Sequence, residues 1–183
     1  MTIKYAILGL LSWQPLSGYD IKKLIADSIT FYWSGNNNQI YTILVELHKA
    51  DLVSIEVIGD ENTRTKKVYT ITEKGSTELR EWILSTPQPP ELRNTFLIQL
   101  GWADQLSDED LDSLLDKYDE EIQSLLLIQQ EKMRRGLQTP KRTPREIYLW
   151  EMISTSIIDH YSHELDWVKK TRKGLAGIKN PPI

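Results

Sequence analysis

The chain has 183 residues, room for one domain with a core or for a small domain with a helical extension, and its element pattern favours the second. With no cysteine it can hold no disulfide, thiol nucleophile or thiolate metal site, and with 40% hydrophobic residues, six Trp and eight Tyr it is not a disordered chain. The net charge of −4 argues against a generally basic, nucleic-acid-coating surface, and neither half is basic overall, so any such contact must rest on local placement of cations.

Met1 leads within three residues to Lys4 and then to a short apolar run punctuated by Ser12, and nowhere do about twenty apolar residues occur together, so a cytoplasmic location is expected. Ile3 to Trp13 reads as a first helix, apolar over most of its surface through Ile7, Leu8, Leu10 and Leu11, and therefore buried. Pro15 breaks it. Leu16-Ser17-Gly18 makes a turn in which Ser17 can cap a second helix, Tyr19–Asp27, with Ile21, Leu24 and Ile25 inward and Asp20, Lys22 and Lys23 outward. Tyr19 either packs or offers its hydroxyl to a phosphate, and Phe31, Tyr32 and Trp33 wedge this helix against the next.

The third helix, Asn36–Ala50, organises what precedes and follows it. Ile40, Ile43, Leu44 and Leu47 fall at i, i+3, i+4 and i+7 and form a core face. The opposite face carries Asn38, Gln39, Tyr41, Thr42, Val45 and Lys49, mostly groups that hydrogen-bond without a large charge and so can read base edges. Ser34-Gly35-Asn36-Asn37 supplies a turn and N-cap residues, leaving backbone N–H groups free to take a phosphate. His48 is expected as a partly buried packing residue.

Val53–Val57 and Lys67–Ile71 alternate as half-buried strands do, and the polar loop Gly59–Thr65 between them is too long for a tight turn, so its tip projects into solvent. Arg64, Lys66 and Lys67, with Lys49, make the cationic cluster of this half, although a charged loop can equally be a solvated surface. Helix followed by hairpin is the order of a winged helix-turn-helix with a two-stranded wing. Thr72–Ser85 then reads as a helix with Leu79, Trp82 and Ile83 on one face. Pro87, Pro89 and Pro90 end it and restrict the chain to extended conformations. This places a DNA-binding domain at 1–86, a hinge at 87–90 and a helical domain at 91–183.

The second half carries readable caps. Leu92, Phe96, Leu100 and Ala103 form a helix up to about Gln105. Ser107, followed by Asp108, Glu109 and Asp110, opens another in which Leu111, Leu115, Tyr118, Ile122, Leu125 and Gln129 recur to about Arg135. Thr143-Pro144-Arg145-Glu146 opens the last, with Trp150, Ile153, Ile157, Tyr161, Leu165 and Val168 recurring down to Gly174. Two helices of roughly 40 Å, at about 1.5 Å per residue, exceed what a small core needs. Pairing across a two-fold axis would bury their stripes and present two third helices to two half-sites of a palindromic duplex.

Catalysis finds little to start from. His160 and His163 stand three apart beside Asp159 and Glu164, loosely the spacing of a metal pair, but no partner motif accompanies them, so neither metal nor cofactor is expected. No Gly-rich phosphate loop, nucleophile elbow or paired-carboxylate motif occurs, so the chain is not read as an enzyme. Trp102, Tyr148, Trp150, Tyr161 and Trp167 are candidates to line an aromatic cavity near the hinge for a small planar effector, although core packing accounts for each of them equally well.

The blocks Lys4-Tyr5-Ala6-Ile7-Leu8-Gly9-Leu10-Leu11, Leu16-Ser17-Gly18-Tyr19-Asp20-Ile21, Phe31-Tyr32-Trp33, Gln39-Ile40-Tyr41 and Lys67-Val68-Tyr69-Thr70-Ile71-Thr72-Glu73-Lys74-Gly75, taken in order, resemble the PadR family of transcriptional regulators. The likeness is close over roughly the first 85 residues and extends to the rest by length and helical pattern. It implies that the third helix enters the major groove and the wing lies along the minor groove or backbone, with contacts from Gln39, Tyr41, Thr42 and Arg64, and it implies a homodimer. Family members often have proline after the tyrosine of this helix, where this chain has Thr42. The chain is most similar to the longer-tailed branch that represses phenolic acid decarboxylase, which implies a hydroxycinnamic acid effector whose phenol would meet His160 or Tyr161. The expectation is thus a homodimeric repressor released from its operator by a small molecule. The alternative is a winged-helix protein-interaction module whose acidic surface repels DNA.

Overall fold

A computed structural model describes residues 2–28, 38–59, 65–89, 94–136 and 143–178, which fall into two units, the first ending at Gln88 and the second starting at Pro89. The first unit runs α1 (Thr2–Leu11), β1 (Leu16–Ser17), α2 (Gly18–Asp27), α3 (Asn38–Lys49), β2 (Val53–Ile58), β3 (Lys66–Ile71) and α4 (Glu73–Leu84). Its sheet is antiparallel in the order β1-β3-β2, with both Leu16 and Ile55 opposite Tyr69. The two-stranded wing expected above is the hairpin β2–β3, and β1 adds a third strand to the sheet that the sequence reading did not include. Leu16-Ser17 is too short to show an alternation, and only its partner Val68-Tyr69 makes it a strand.

The core of this unit gathers Ile7, Leu8, Leu10 and Leu11 of α1, Ile21 of α2, Ile40, Leu44 and Leu47 of α3, and Val53 and Tyr69 of the sheet. Spacings of three, four and seven put the α3 residues on one face, and burying each such side chain stabilises by roughly 1.5–3 kcal/mol. Lys4 reaches Glu78 at 2.6 Å and the Tyr5 ring stacks on Trp82 with centroids 4.5 Å apart, tying α1 to α4. Of the expected α4 face, Leu79 packs on the core and Trp82 finds this ring partner, but Ile83 is exposed.

α3 and α4 are joined by a knot of backbone contacts. Asp51 adopts φ 58, and Leu52 N–H donates to Leu47 O at 2.9 Å while Asp51 N–H donates to His48 O at 3.0 Å, the pair of bonds that ends a helix in a left-handed residue. Thr72 N–H then donates to Leu52 O at 3.1 Å, Thr72 Oγ1 to Asp51 O at 2.7 Å, and Lys74 Nζ to Ala50 O at 2.8 Å. Thr72 also caps α4 by accepting from Gly75 N–H at 3.0 Å. Gly75 lies so close that a Cβ there would stand 2.1 Å from Leu52 O.

In the second unit the helix expected over 92–105 is broken, and residues 91–93 lie outside the described residues. Asn94 caps α5 (Thr95–Gly101), Trp102 leaves the helical region, and a 3-10 turn covers Ala103–Gln105. Gly101, a weak helix former, sits at the break. Ser107 accepts from Asp110 N–H to cap α6 (Asp108–Arg135), and Thr143 accepts from Glu146 N–H to cap α7 (Pro144–Leu175), with Pro144 in its first turn. Arg172 binds Asp112 at 3.1 Å and Asp116 at 2.5 Å, so the two long helices pack antiparallel. Phe96 lies flat on Tyr118 at 3.7 Å and edge-on to Trp167 at 6.2 Å, beside buried Leu115 and Val168. Asn94 Nδ2 donates to the Tyr118 hydroxyl at 3.0 Å, and that hydroxyl donates to Glu164 at 2.7 Å. Burial first, and the Glu164 carboxylate second, hold the Tyr118 phenol above its usual range. Among the described residues no helix is long and apolar enough to cross a membrane.

Two substitutions at the knot should move stability in opposite directions in urea unfolding. Gly75→Ala should cost about 1–3 kcal/mol because its methyl meets a backbone oxygen that three hydrogen-bonded neighbours hold in place. Asp51→Gly should gain up to about 1 kcal/mol by removing the Cβ from a left-handed residue. A stabilised Ala variant would overturn the first, and a destabilised Gly variant the second.

Candidate nucleic-acid interface

At 100° per residue, the α3 positions farthest from its buried stripe are Asn38, Thr42, Val45 and Lys49. Thr42, Val45 and Lys49 are exposed, while Asn36, Asn37 and the Asn38 side chain lie outside the described residues. Gln39 is exposed on the flank of α3 that also carries Glu46, and Glu46 lines an apolar cleft with Ile3, Lys4, Ile43 and Leu47. Gln39 is therefore a flanking rather than a central group of this face. Tyr41 occupies the opposite flank, 48% exposed. Its ring is pressed against the start of α2, where a Cβ on Gly18 would lie 2.6 Å from Tyr41 Cε1. Tyr69 beneath is buried, and burial first, then the nearby Tyr41, push its phenol above the usual range. Tyr41 is thus half packing group and half surface, a division the sequence pattern does not reveal.

Ser17 caps α2 as expected, but as a candidate DNA contact it is withdrawn, because it is buried in a capping box with Asp20. Its hydroxyl accepts from Asp20 N–H at 3.2 Å and donates to Asp20 Oδ2 at 2.7 Å. His48, expected to be partly buried, is exposed, with Nδ1 3.1 Å from Val53 O. Tyr19, beside the cap, is 68% exposed and so remains open to a phosphate.

Arg64 lies outside the described residues. Lys67 is exposed on β3, opposite Val57. Lys66 is committed, because its ammonium sits 2.8 Å from Asp20 Oδ2 and thereby ties the loop end of the hairpin to the first turn of α2. The Lys66 hydrogen bond, then that of Ser17, hold the Asp20 carboxyl below its usual range. Sequence reasoning missed this pair, since 46 positions separate its members and neither spacing nor composition connects them.

In the second unit the proposed effector residues do not share one environment. Trp102 is 69% and Tyr148 59% exposed, His160 is exposed, and Trp150 and Tyr161 are half-buried on α7. The His160 and Tyr161 rings are tilted at 5.5 Å. Among the described residues no group of three or more His, Cys, Asp or Glu is placed to hold a metal ion.

Comparison with known proteins bears on both units. Residues 7–81 match the transcriptional regulator PadR-like family, and residues 92–176 match the family described as virulence activator alpha C-term. The chain is 32% identical to the negative transcriptional regulator PadR of Bacillus subtilis over 61% of its own length and 62% of that protein's, so it spans about six tenths of this curated relative. Its fold is similar to that of Bacillus subtilis PadR in complex with operator DNA, with a TM-score of 0.80 and 24% identity over 93% of this chain and 97% of that one. It is likewise similar to Bacillus subtilis PadR in complex with p-coumaric acid, with a TM-score of 0.75 and 25% identity over 93% and 96%.

The tie at Asp20 has a pH signature. A depressed carboxyl contributes stability that is present above its unfolded value of 3.8 and is lost as pH falls through the folded value. Wild type should exceed Asp20→Asn by under about 1 kcal/mol at neutral pH, because the pair is more than a third exposed and screened by water. The gap should close below pH 3.8 in acid-unfolding series, and a gap constant down to acid pH would show that the carboxylate charge plays no part.

Proposed function

We propose, from the match of residues 7–81 to the PadR-like family of transcriptional regulators, that the chain is a homodimeric repressor which binds a palindromic operator and leaves it when a small aromatic acid binds. The observation that carries this reading is α3. Ile40, Leu44 and Leu47 fix one face in the core while Thr42, Val45 and Lys49 stand outward on the other, with a hairpin bearing Lys67 in the same unit. A helix so presented fits a major groove, and the exposed start of α2 at Tyr19 and the hairpin fit the backbone beside it. Base reading then falls to Thr42 and the flanking Gln39 and Tyr41, and phosphate contact to Lys49 and Lys67, with Asn36, Asn37, Asn38 and Arg64 the further candidates.

Support for a dimer comes from the apolar surface of the long helices. Leu127, Ile128 and Met133 of α6 and Tyr148, Leu149 and Met152 of α7 are all exposed, more large apolar surface than a solitary chain normally shows to water. Two copies joined there present two α3 helices to half-sites related by a two-fold axis. Release follows if the effector prefers a dimer whose α3 helices are wrongly spaced, since its differential affinity sets the loss of DNA binding. Support for an aromatic acid comes from the Bacillus subtilis relative, solved with p-coumaric acid.

A second reading, a protein-interaction module, is favoured by two features of the same surface, the exposed Glu46 on α3 and the neutralisation of Lys66 by Asp20. Salt separates them. Fluorescence anisotropy on the DNA flanking its own gene should give an affinity that falls linearly on log-log axes as salt rises, and binding indifferent to salt would favour the module.

Lys67→Ala should weaken all duplexes alike and reduce the salt slope by about 1. Gln39→Ala should relax sequence preference by about 1–3 kcal/mol if it reads a base, and equal loss on operator and random DNA would remove Gln39 from that role.

A further inference from the structure

The stripe of α6 that faces α7 buries Leu115, Ile122 and Gln129, one residue per seven. The first two are apolar. The third is a primary amide, fully buried, and among the described residues neither its Oε1 nor its Nε2 has a hydrogen-bond partner. A buried polar group left unpaired is unfavourable, and the few that occur call for a reason. Eleven residues separate Gln129 from Tyr118 on α6, and eleven residues back from its partner Glu164 on α7 stand Ile153 and Ser154. Ser154 is the other buried polar side chain among the described residues of this unit, and its hydroxyl is already given to Trp150 O at 2.9 Å. The level of the helix pair at Gln129 therefore holds an uncommitted NH2 group and an uncommitted carbonyl oxygen on a single planar group.

We propose that the Gln129 amide is the receptor for the phenolic hydroxyl of the effector, seated between α6 and α7. This deepens the repressor reading and rests on it. A hydroxyl both donates and accepts, so it satisfies Oε1 and Nε2 together, and it is neutral. A carboxylate is excluded from this level because the buried polar side chains here, Gln129 and Ser154, are both uncharged, and an anion without a cation is costly to bury. The carboxylate end of the ligand accordingly points toward the exposed surface. This moves the phenol partner away from His160 and Tyr161, one exposed and the other half-buried, to a position that water does not contest. Because the amide is enclosed, a ligand reaches it only when α6 and α7 part at this level, so binding and helix movement are one event.

The test pairs two ligands with two proteins. p-Coumaric acid and cinnamic acid differ only by the phenolic hydroxyl, and their affinities for full-length wild type and Gln129→Leu are read by tryptophan fluorescence. Wild type should bind p-coumaric acid about tenfold or more tighter than cinnamic acid, because a site built to pair a hydroxyl penalises its absence. In Gln129→Leu the ratio should fall to within about twofold, with cinnamic acid bound no worse than before. Gln129→Met, nearly the same in volume, should behave as Leu does, and both should melt at or above the wild-type temperature, which shows that the fold survives. If either variant keeps the wild-type ratio, the amide is satisfied by water or serves helix register and the proposal falls, while the effector reading stands. If wild type binds neither acid, the effector reading fails with it, and DNA binding is judged separately by its own salt dependence.

Discussion

The winged unit depends on one backbone junction, the place where α3 ends and α4 begins. Leu52 O accepts from Thr72, Asp51 O accepts from the Thr72 hydroxyl, and Gly75 leaves no room for a side chain between them. Since β2 starts at Val53 and β3 ends at Ile71, this junction closes the base of the hairpin. It fixes the hairpin to the C-terminal end of α3 mainly by groups that carry no net charge, the Lys74 ammonium on Ala50 O being the exception, so salt and pH have little hold on the attachment. The opposite end of the hairpin's first register is held differently, by Lys66 on Asp20, an exposed pair that water and ions weaken. A firm attachment at one end and a soft tie at the other would suit the proposed role, in which the wing keeps its place on a helix while its far end adapts to a backbone.

Under the repressor reading proposed above, charge placement is what would let an acidic chain serve a polyanion. The outward residues of α3 are short, neutral or singly basic, so specificity there rests on shape and hydrogen bonds. Cations enter at the margins, through Lys49 at the end of the helix and Lys67 on the hairpin. In the two-fold assembly proposed above every such contact would be counted twice, so a small number of lysines would suffice. The acidic residues are concentrated elsewhere, notably in the first turn of α6, where Asp108, Glu109 and Asp110 suit the positive end of the helix.

How much of this could be read from the sequence depended on distance along the chain. α3 was legible because its buried stripe repeats within a 12-residue helix, and the caps at Ser107 and Thr143 were legible because a cap and its target lie three residues apart. The third strand was not, since two residues show no period and acquire their identity from Val68 and Tyr69. Nor was the pairing of Asp20 with Lys66, or the pressing of Tyr41 on Gly18, because both arise only when the core brings separate elements together. The break at Trp102 escaped a pattern in which Leu100 and Ala103 kept the helical spacing across it. Gln129 was placed correctly on the α6 stripe by its period, yet its orphaned amide is visible only once burial is known.

Asn94 does two jobs with one side chain. Its oxygen accepts from Phe96 N–H to start α5, and its nitrogen donates to Tyr118, whose hydroxyl goes on to Glu164. Three helices are riveted through a single residue, at the point where the chain enters the second unit. Such a rivet makes the three helices one mechanical piece, since α5 cannot shift without disturbing the bond between Tyr118 and Glu164.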